Sequence, residues 1–420
     1  MPAKRILVTG ASGYIAGRLI PRLLAGGYSV RVMARSGAKI ANRPWIGQVE
    51  VVEADVTDPA SLPLALEGID SAYYLIHNMS SGRNYQQAEM DGARSFARAA
   101  HQAGTEHIIY LGGLADPEDE IAPHMRSRIE TGTALREFPV PVTEFRAGVI
   151  AGPGSISFEM IRFICEQFPV MLGPGWLRNR SQPISADNVL DYLTAALKNP
   201  ACRGLTLEIG GPDVFRYAEL MQIYGQIRGL RRGMLLIPGL PAGLMAYMVD
   251  KLTPVPEAIA FPLINGLRSD SVVKDSQALE VFPEIQLTGY RQAVADSLEQ
   301  LHPKHIDRIW VNGAADVRLK HEGFLVESLH GPAPESAADL LKLLDQLPEY
   351  QLETQDDRRI RLKSNHGRVT SWLEWELLDE HGLLRQTGLI APKGLWGFLS
   401  SMNHRSAQRR IFKRISRSQE

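Results

Sequence analysis

The sequence predicts an α/β protein, a doubly wound parallel sheet followed by a smaller α+β unit. Three observations carry that prediction. Over the first 150 residues, short apolar runs alternate with amphipathic helical patterns, as strands wrapped by helices do. A glycine-rich turn, Thr9-Gly10-Ala11-Ser12-Gly13-Tyr14-Ile15-Ala16-Gly17, falls between the first strand and the first helix. Beyond His302-Pro303-Lys304-His305 the pattern changes to alternating strands closed by one long basic helix.

The expected strands of the parallel sheet are Arg5–Thr9, Ser29–Ala34, Val49–Glu53, Ser71–Ile76, His107–Leu111 and Val142–Ala147, with helices between them such as Gly13–Ala25 and Gln87–Ala103. A Gly- and Pro-rich stretch follows, with helices expected near Phe158–Gln167, Ala186–Leu197 and Tyr217–Arg228 and a strand at Leu205–Ile209. It has the character of a substrate-side lobe threaded back onto the sheet. Residues 1–302 therefore form one unit, with the lobe at about 150–300, and residues 303–420 a second. In the second, the strands are Ile309–Leu319, Phe324–Ser328, Ile360–Lys363, Val369–Leu378 and Leu384–Ile390. Ser336–Leu347 and about Leu395–Arg417 are its helices.

Composition bounds the class. A chain of 420 residues, 44% hydrophobic and 22% charged, is globular and long enough for two or three domains. A formal net charge of -1 gives no overall drive toward nucleic acid. The two cysteines, Cys165 and Cys202, make neither a disulfide framework nor a metal site and fit a reducing cytoplasm. Lys4-Arg5 lead into only three apolar residues, which is not a secretory signal. Gly233–Val249 carries no charge but is interrupted by Pro238, Pro241 and glycines. It reads as a buried or pocket-lining segment rather than a span of roughly 20 apolar residues, and loose contact with a bilayer stays open.

The glycine turn carries the chemistry. Gly10 allows the tight turn, Gly13 lets the backbone approach a pyrophosphate, and Ala16 packs helix against sheet, with the helix N-terminus facing the anion. This is a Rossmann-type dinucleotide site, and Ser12, Tyr14 and Ile15 stand in the same cradle. The second strand ends Val32-Met33-Ala34-Arg35, where an NAD site usually places an acid for the ribose hydroxyls. Ala34 accepts nothing and Arg35 pairs with a 2′-phosphate, so NADP(H) is favoured over NAD(H); Arg18 and Lys39 add charge nearby. Asp55 after the third strand suits the adenine amino group, with Val56 on the ring, against the alternative of a plain helix cap. Ile76 and His77, after the fourth strand, fall beside the nicotinamide ribose.

These residues, with His124-Met125-Arg126-Ser127-Arg128-Ile129-Glu130, Phe145-Arg146-Ala147-Gly148-Val149-Ile150, Ser157-Phe158-Glu159-Met160-Ile161-Arg162 and Gln182-Pro183-Ile184, carry a resemblance over about residues 4–300. The sequence resembles the atypical short-chain dehydrogenase/reductases of the NmrA-like kind. Within them it is similar to a bacterial group that adds a C-terminal helix-grip (SRPBCC-like) tail. The tail resemblance rests mainly on Ala391-Pro392-Lys393-Gly394-Leu395.

The resemblance implies a Ser at the end of the fifth strand and a Tyr-x-x-x-Lys helix. This chain departs from both. The strand ends Tyr110-Leu111-Gly112-Gly113-Leu114, and the helix has His124 where Tyr belongs and Arg128 where Lys belongs. Two readings follow. In one, His124 is the acid, titrating near pH 6.5, and Arg128 holds the nicotinamide ribose. In the other, the chemistry is lost and only cofactor binding remains.

Residues 381–419 contain no acid, and Lys393, Arg405, Arg409, Arg410, Lys413, Arg414 and Arg417 crowd the final helix. A basic amphipathic helix lies on a membrane surface or closes a helix-grip domain, and the strands before it favour the second. Such a fold implies a hydrophobic ligand between helix and sheet. No metal ligand set is found, and no element that reads nucleic acid. The expected protein is thus a cytoplasmic NADPH-dependent oxidoreductase on a bulky carbonyl or quinone. The alternative is a non-catalytic redox sensor or scaffold of the NmrA-like type. Its oligomeric state is not legible.

Overall fold

The structure is a computed structural model that describes residues 4–41, 43–77, 85–116, 121–253, 255, 257–305, 324–333, 340–341, 347–378 and 383–417. The first part runs β1 (Arg5–Val8), α1 (Tyr14–Ala25), β2 (Ser29–Ala34), β3 (Glu50–Glu53), α2 (Leu62–Leu66), β4 (Ser71–Tyr74), α3 (Tyr85–Gln102), β5 (His107–Gly113), α4 (Pro123–Leu135) and β6 (Val142–Ala147). The lobe follows with β7 (Ile150–Ala151), α5 (Ile156–Gln167), β8 (Val170–Pro174), β9 (Arg180–Ser181), β10 (Ile184–Ser185) and α6 (Ala186–Ala196). After β11 (Thr206–Ile209) come β12 (Phe215–Arg216), α7 (Tyr217–Ile227), β13 (Gly233–Ile237), α8 (Ala242–Leu252), α9 (Glu257–Gly266), α10 (Gln277–Val281) and α11 (Tyr290–Glu299). The C-terminal part holds β14 (Leu325–Pro332), β15 (Gln351–Gln355), β16 (Arg359–His366), β17 (Val369–Leu378), β18 (Leu383–Pro392) and α12 (Gly394–Arg417).

The main sheet has the order β3-β2-β1-β4-β5-β6-β11, and every pairing in it is parallel. A parallel sheet is covered on both faces, which is why Ile6-Leu7-Val8 is apolar throughout instead of alternating. Ile6 and Val8 pack toward Leu19, Leu23 and Leu193 of α1 and α6. Leu7 packs on the other face with Phe96 of α3 and Leu135 of α4. The chain leaves β1 for β2 on one side and returns to β4 on the other, so the crevice beyond the carboxyl ends of β1 and β4 is the topological switch point.

Several boundaries shift by one or two residues from expectation, and two of these bear on the site. The fourth strand stops at Tyr74, before Ile76, and the fifth continues through Gly113 rather than ending at Leu111. In the lobe, Gly233–Val249 is β13 and most of α8, and β13 pairs in parallel with β8, more than 60 residues earlier.

In the C-terminal part the antiparallel order is β14-β18-β17-β16-β15. The expected strands Phe324–Ser328, Ile360–Lys363, Val369–Leu378 and Leu384–Ile390 fall within or at the edges of β14, β16, β17 and β18, whereas β15 was not foreseen. Ile309–Leu319 and most of Ser336–Leu347 lie outside the described residues. Helix α12 lies directly on this sheet: a Cβ at Gly388 would fall 2.0 Å from Gln408 Oε1, so at that crossing no ligand space separates helix from strand. Gln386 Nε2 donates to the Gln408 carbonyl at 2.8 Å, and its Oε1 accepts from Trp375 Nε1 at 2.9 Å.

The two parts meet at α5. Its Glu166, fully buried, accepts from Tyr224 Oη at 2.7 Å, from Arg228 Nε at 2.7 Å and from the Gly394 backbone N–H at 2.5 Å. Phe163, one turn earlier, packs with Leu325, Val369 and Ile390 of the C-terminal sheet. Removing one member of a buried ion pair strands the other, at a cost of about 3 kcal/mol. Glu166→Ala should therefore lower the thermal midpoint by several degrees and expose the segment before Gly394 to limited proteolysis. An unchanged midpoint would show that the contact is not structural.

Candidate functional site

The site is built at the switch point. Gly10 has φ +64°, the left-handed region that glycine adopts without strain. A Cβ there would also sit 2.6 Å from the Leu75 carbonyl oxygen at the end of β4. Only glycine satisfies both conditions. Gly13 precedes α1 in extended conformation with no side chain capping the helix, so the N–H groups of the first turn are left to an anion.

From this loop a cavity of about 410 Å³ runs into the lobe. Gly10, Gly13, Tyr14 and Ile15 line its near end, His77, His124 and Arg128 its middle. The far end is apolar, with Met160, Leu172, Met234 and Met245 among its walls. Ser12, Arg35, Asp55, Val56 and Ile76 do not line this cavity. Arg35 is exposed just after β2. Asp55 Oδ1 accepts from the Thr57 N–H at 3.0 Å, a local turn contact. Val56 is buried against Gly92 of α3, where a Cβ would lie 2.8 Å from its methyl group. Arg18 donates to the Pro153 carbonyl at 2.8 Å and covers the Tyr14 ring, so it is engaged in holding α1 to the lobe.

Helix α4 aims His124 and Arg128 at the cavity from successive turns. His124 is 5% exposed, and among the described residues its Nδ1 has no hydrogen-bond partner. Gly266 of α9 closes over the ring: a Cβ there would meet Cε1 at 2.7 Å. Burial, and then the Arg128 charge, push the His124 pKa down to about 3. The expectation that His124 titrates near neutrality is thereby corrected, since the imidazole is uncharged at physiological pH. The same two causes lower His77 well below its usual range, while a hydrogen bond to the Leu111 backbone works the other way. Arg128 lines the cavity and has no carboxylate partner among the described residues.

The absent serine has a structural counterpart. A Cβ at Gly113 would come 2.6 Å from Met125 Cε and 3.0 Å from Arg128 Cδ. The space a serine would take is occupied by the α4 side chains.

Three residues of the site carry no local sequence signal. Arg43 is buried and donates from Nη2 to the Ser12 carbonyl at 3.1 Å, placing a cation at the glycine loop. Tyr217 lines the apolar end, and burial pushes its pKa up to about 12 against the lowering effect of nearby Ser181 and Ser271. Ser271 Oγ in turn donates to the Leu114 carbonyl at 3.1 Å, beyond the end of β5. Only the tertiary fold brings residues 43, 217 and 271 to the crevice.

Comparison with known proteins agrees with this geometry. Residues 2–162 match the model of the NmrA-like family. The chain is 25% identical over 303 residues to a protein of Arabidopsis thaliana, the mitochondrial NADH dehydrogenase [ubiquinone] 1 alpha subcomplex subunit 9, covering 67% of this chain and 75% of that one. It is 23% identical over 258 residues to the ceramide reductase of Caulobacter vibrioides, covering 60% and 80%. Among solved structures, the NADPH-dependent quinone oxidoreductase of Escherichia coli in complex with NADPH superposes with a TM-score of 0.56 at 17% identity. That alignment covers 69% of this chain and 99% of that one. The N-terminal part therefore has the Rossmann-type fold shared by these structures.

The lowered His124 pKa makes a signed prediction. Between about pH 6.5 and about pH 3 the unfolded chain protonates this histidine and the native chain does not, so stability falls as pH falls through that window. In His124→Gln the slope of unfolding free energy against pH should be shallower by about 1.4 kcal/mol per unit. Imidazole NMR signals of the wild type should show no titration of His124 above about pH 5. A midpoint near neutrality would remove the burial argument.

Proposed function

We propose that this chain is an NADPH-dependent oxidoreductase acting on a bulky, apolar carbonyl or quinone. The observation that carries the reading is the single cavity that joins the phosphate loop, two uncharged histidines and Arg128 to a methionine-lined pocket. Its near end suits a dinucleotide, because the Gly10 and Gly13 cradle would be filled by any side chain. Gly10, Ser12, Gly13, Tyr14 and Ile15 would hold the pyrophosphate end and Arg35 the 2′-phosphate, with Arg43 supporting the loop. Asp55, Val56, Ile76 and His77 would line the adenine and ribose path. When bound, the nicotinamide supplies the hydride.

The chain's own residues do the rest. An oxyanion forming at the substrate carbonyl is stabilised by the permanent charge of Arg128 and by an N–H donated from neutral His124. A neutral imidazole serves in this way without being protonated first. Neither group delivers a free proton at neutral pH, so the oxyanion takes its proton from solvent water as the product leaves the cavity. The apolar end excludes water and strengthens both contacts. The reductase relatives and the fold support a hydride-transfer class.

The test is a nicotinamide-fluorescence titration with NADPH and NADH, followed by a panel of quinones and bulky carbonyls. Tight NADPH binding followed by oxidation supports the reductase. Binding without oxidation across the panel favours the second reading, a redox sensor or scaffold, to which the filled serine position and the uncharged His124 would then belong. Arg35→Glu should weaken NADPH by at least about tenfold while leaving NADH within about twofold, as loss of a charge-assisted phosphate contact requires. Equal weakening would overturn the NADP preference. Gly113→Ser should lower turnover rather than restore it, because the hydroxyl displaces Arg128. Faster oxidation in that variant would mean that Arg128 has no role.

A further inference from the structure

The lobe and the last helix expose apolar side chains where the alternation of a solvated surface would place polar ones. In the β8–β13 ribbon, Val170 lies opposite Gly233 and Leu172 opposite Leu235. Val170 and Leu235 are 58% and 55% exposed, and Leu172 is exposed too, while Met171 points into the core. Both faces of the ribbon are apolar, a departure from the pattern of a half-solvated pair. Leu244 and Tyr247 of α8 and Phe261 of α9 are exposed as well. Helix α12 begins beside this ribbon, since a Cβ at Gly394 would meet Leu230 at 3.3 Å and Arg232 at 3.8 Å. Its outer face carries Trp396, Leu399 and Met402, with Trp396 67% exposed. On the same face Arg409, Arg410, Lys413 and Arg414 follow, all exposed.

The charge pattern names the occupant. Segments 167–186, 220–249, 258–269 and 381–419 contribute most of this surface and contain no Asp or Glu in a chain that carries 47, the acids of α8 and α9 being Asp250 and Glu257 at their facing ends. The same segments hold fourteen Lys or Arg, including exposed Arg178, Arg231, Arg268 and Lys393. No described helix is long and apolar enough to cross a membrane. Arg409 pairs with Glu327 and Arg180 with Asp270, but cations outnumber acids, and shallow apolar side chains flanked by excess positive charge are the chemistry of a surface that lies on an anionic bilayer.

We propose that the β8–β13 ribbon, α8, α9 and the outer face of α12 dock on an anionic lipid surface. Leu172, Met234, Met245 and Leu263 line the cavity from these same elements, so the apolar end of the pocket lies against the docked face. A membrane-dissolved substrate then reaches Arg128 without crossing water. This last clause rests on the oxidoreductase reading; the docking itself does not.

The full chain is sedimented with vesicles of phosphatidylcholine alone and of phosphatidylcholine with 30 mol% phosphatidylglycerol, on the order of the anionic fraction that attracts basic surfaces. The wild type should bind the anionic vesicles at least tenfold more tightly than the neutral ones, and less well as salt rises. Trp396→Glu combined with Leu399→Glu should lower that affinity at least tenfold, with NADPH binding and the thermal midpoint unchanged. Leu235→Glu combined with Tyr247→Glu should do the same through the ribbon and α8. Equal vesicle binding by both double variants would overturn the proposal, as would a wild type that ignores anionic vesicles at low salt. A wild type that is dimeric in solution and made monomeric by these variants would also overturn it, assigning the surface to a second copy. Because NADPH binding is read separately, failure of docking leaves the oxidoreductase reading to its own test.

Discussion

A buried carboxylate holds the molecule together. Glu166 sits in α5 with no solvent contact and collects one cation, one hydroxyl and one backbone N–H, the last from the residue that opens α12. An unpaired charge in that position would be prohibitive, so the lobe and the C-terminal sheet keep a fixed relation or lose the interaction entirely. The opposite side of α5 carries Met160, Ile161 and Ile164 into the cavity. One helix therefore serves as the wall of the pocket and as the seat of the C-terminal part.

The chemistry of the crevice follows from a similar economy of charge. Arg128 brings a permanent positive charge to an apolar cavity, and two histidines beside it respond by staying uncharged. Had either titrated near neutrality, the site would hold two like charges at close range and repel the other's proton. With both neutral, the net charge of the cavity's middle is that of one arginine, ready for a phosphate or an oxyanion. Glycine at position 113 is part of the same arrangement, since any larger residue would push the Arg128 stem out of place.

How much of this was readable from the chain depends on how local each signal is. The β1 run, the glycine turn and α1 are contiguous, and their spacing alone carries the strand, the phosphate loop and the helix. His124 and Arg128 were legible as a pair because they lie four apart on one helix. Their protonation was not, because burial under Gly266 comes from an element more than 130 residues away. The ribbon of β8 and β13 escaped for the same reason: each strand is five residues long and pairs with a partner remote in sequence. Arg43, Tyr217 and Ser271 stand in stretches with no periodicity that points to a site, and only the closed sheet assembles them.

The same distinction explains why the uncharged segment Gly233–Val249 reads ambiguously in one dimension. A run too short and too interrupted by proline to span a bilayer suggests burial, and half of that is what the fold provides. Met234 and Met245 face the cavity while Leu235, Leu244 and Tyr247 face outward. A segment with apolar groups on both sides has two apolar environments to satisfy, and the protein interior supplies only one. The outer environment is then supplied by something else, and the excess of cations over acids on that surface argues for an anionic one. In that arrangement α5 stands between α12 and the pocket, its Glu166 bound to the start of α12 and its Met160, Ile161 and Ile164 lining the cavity that reaches Arg128.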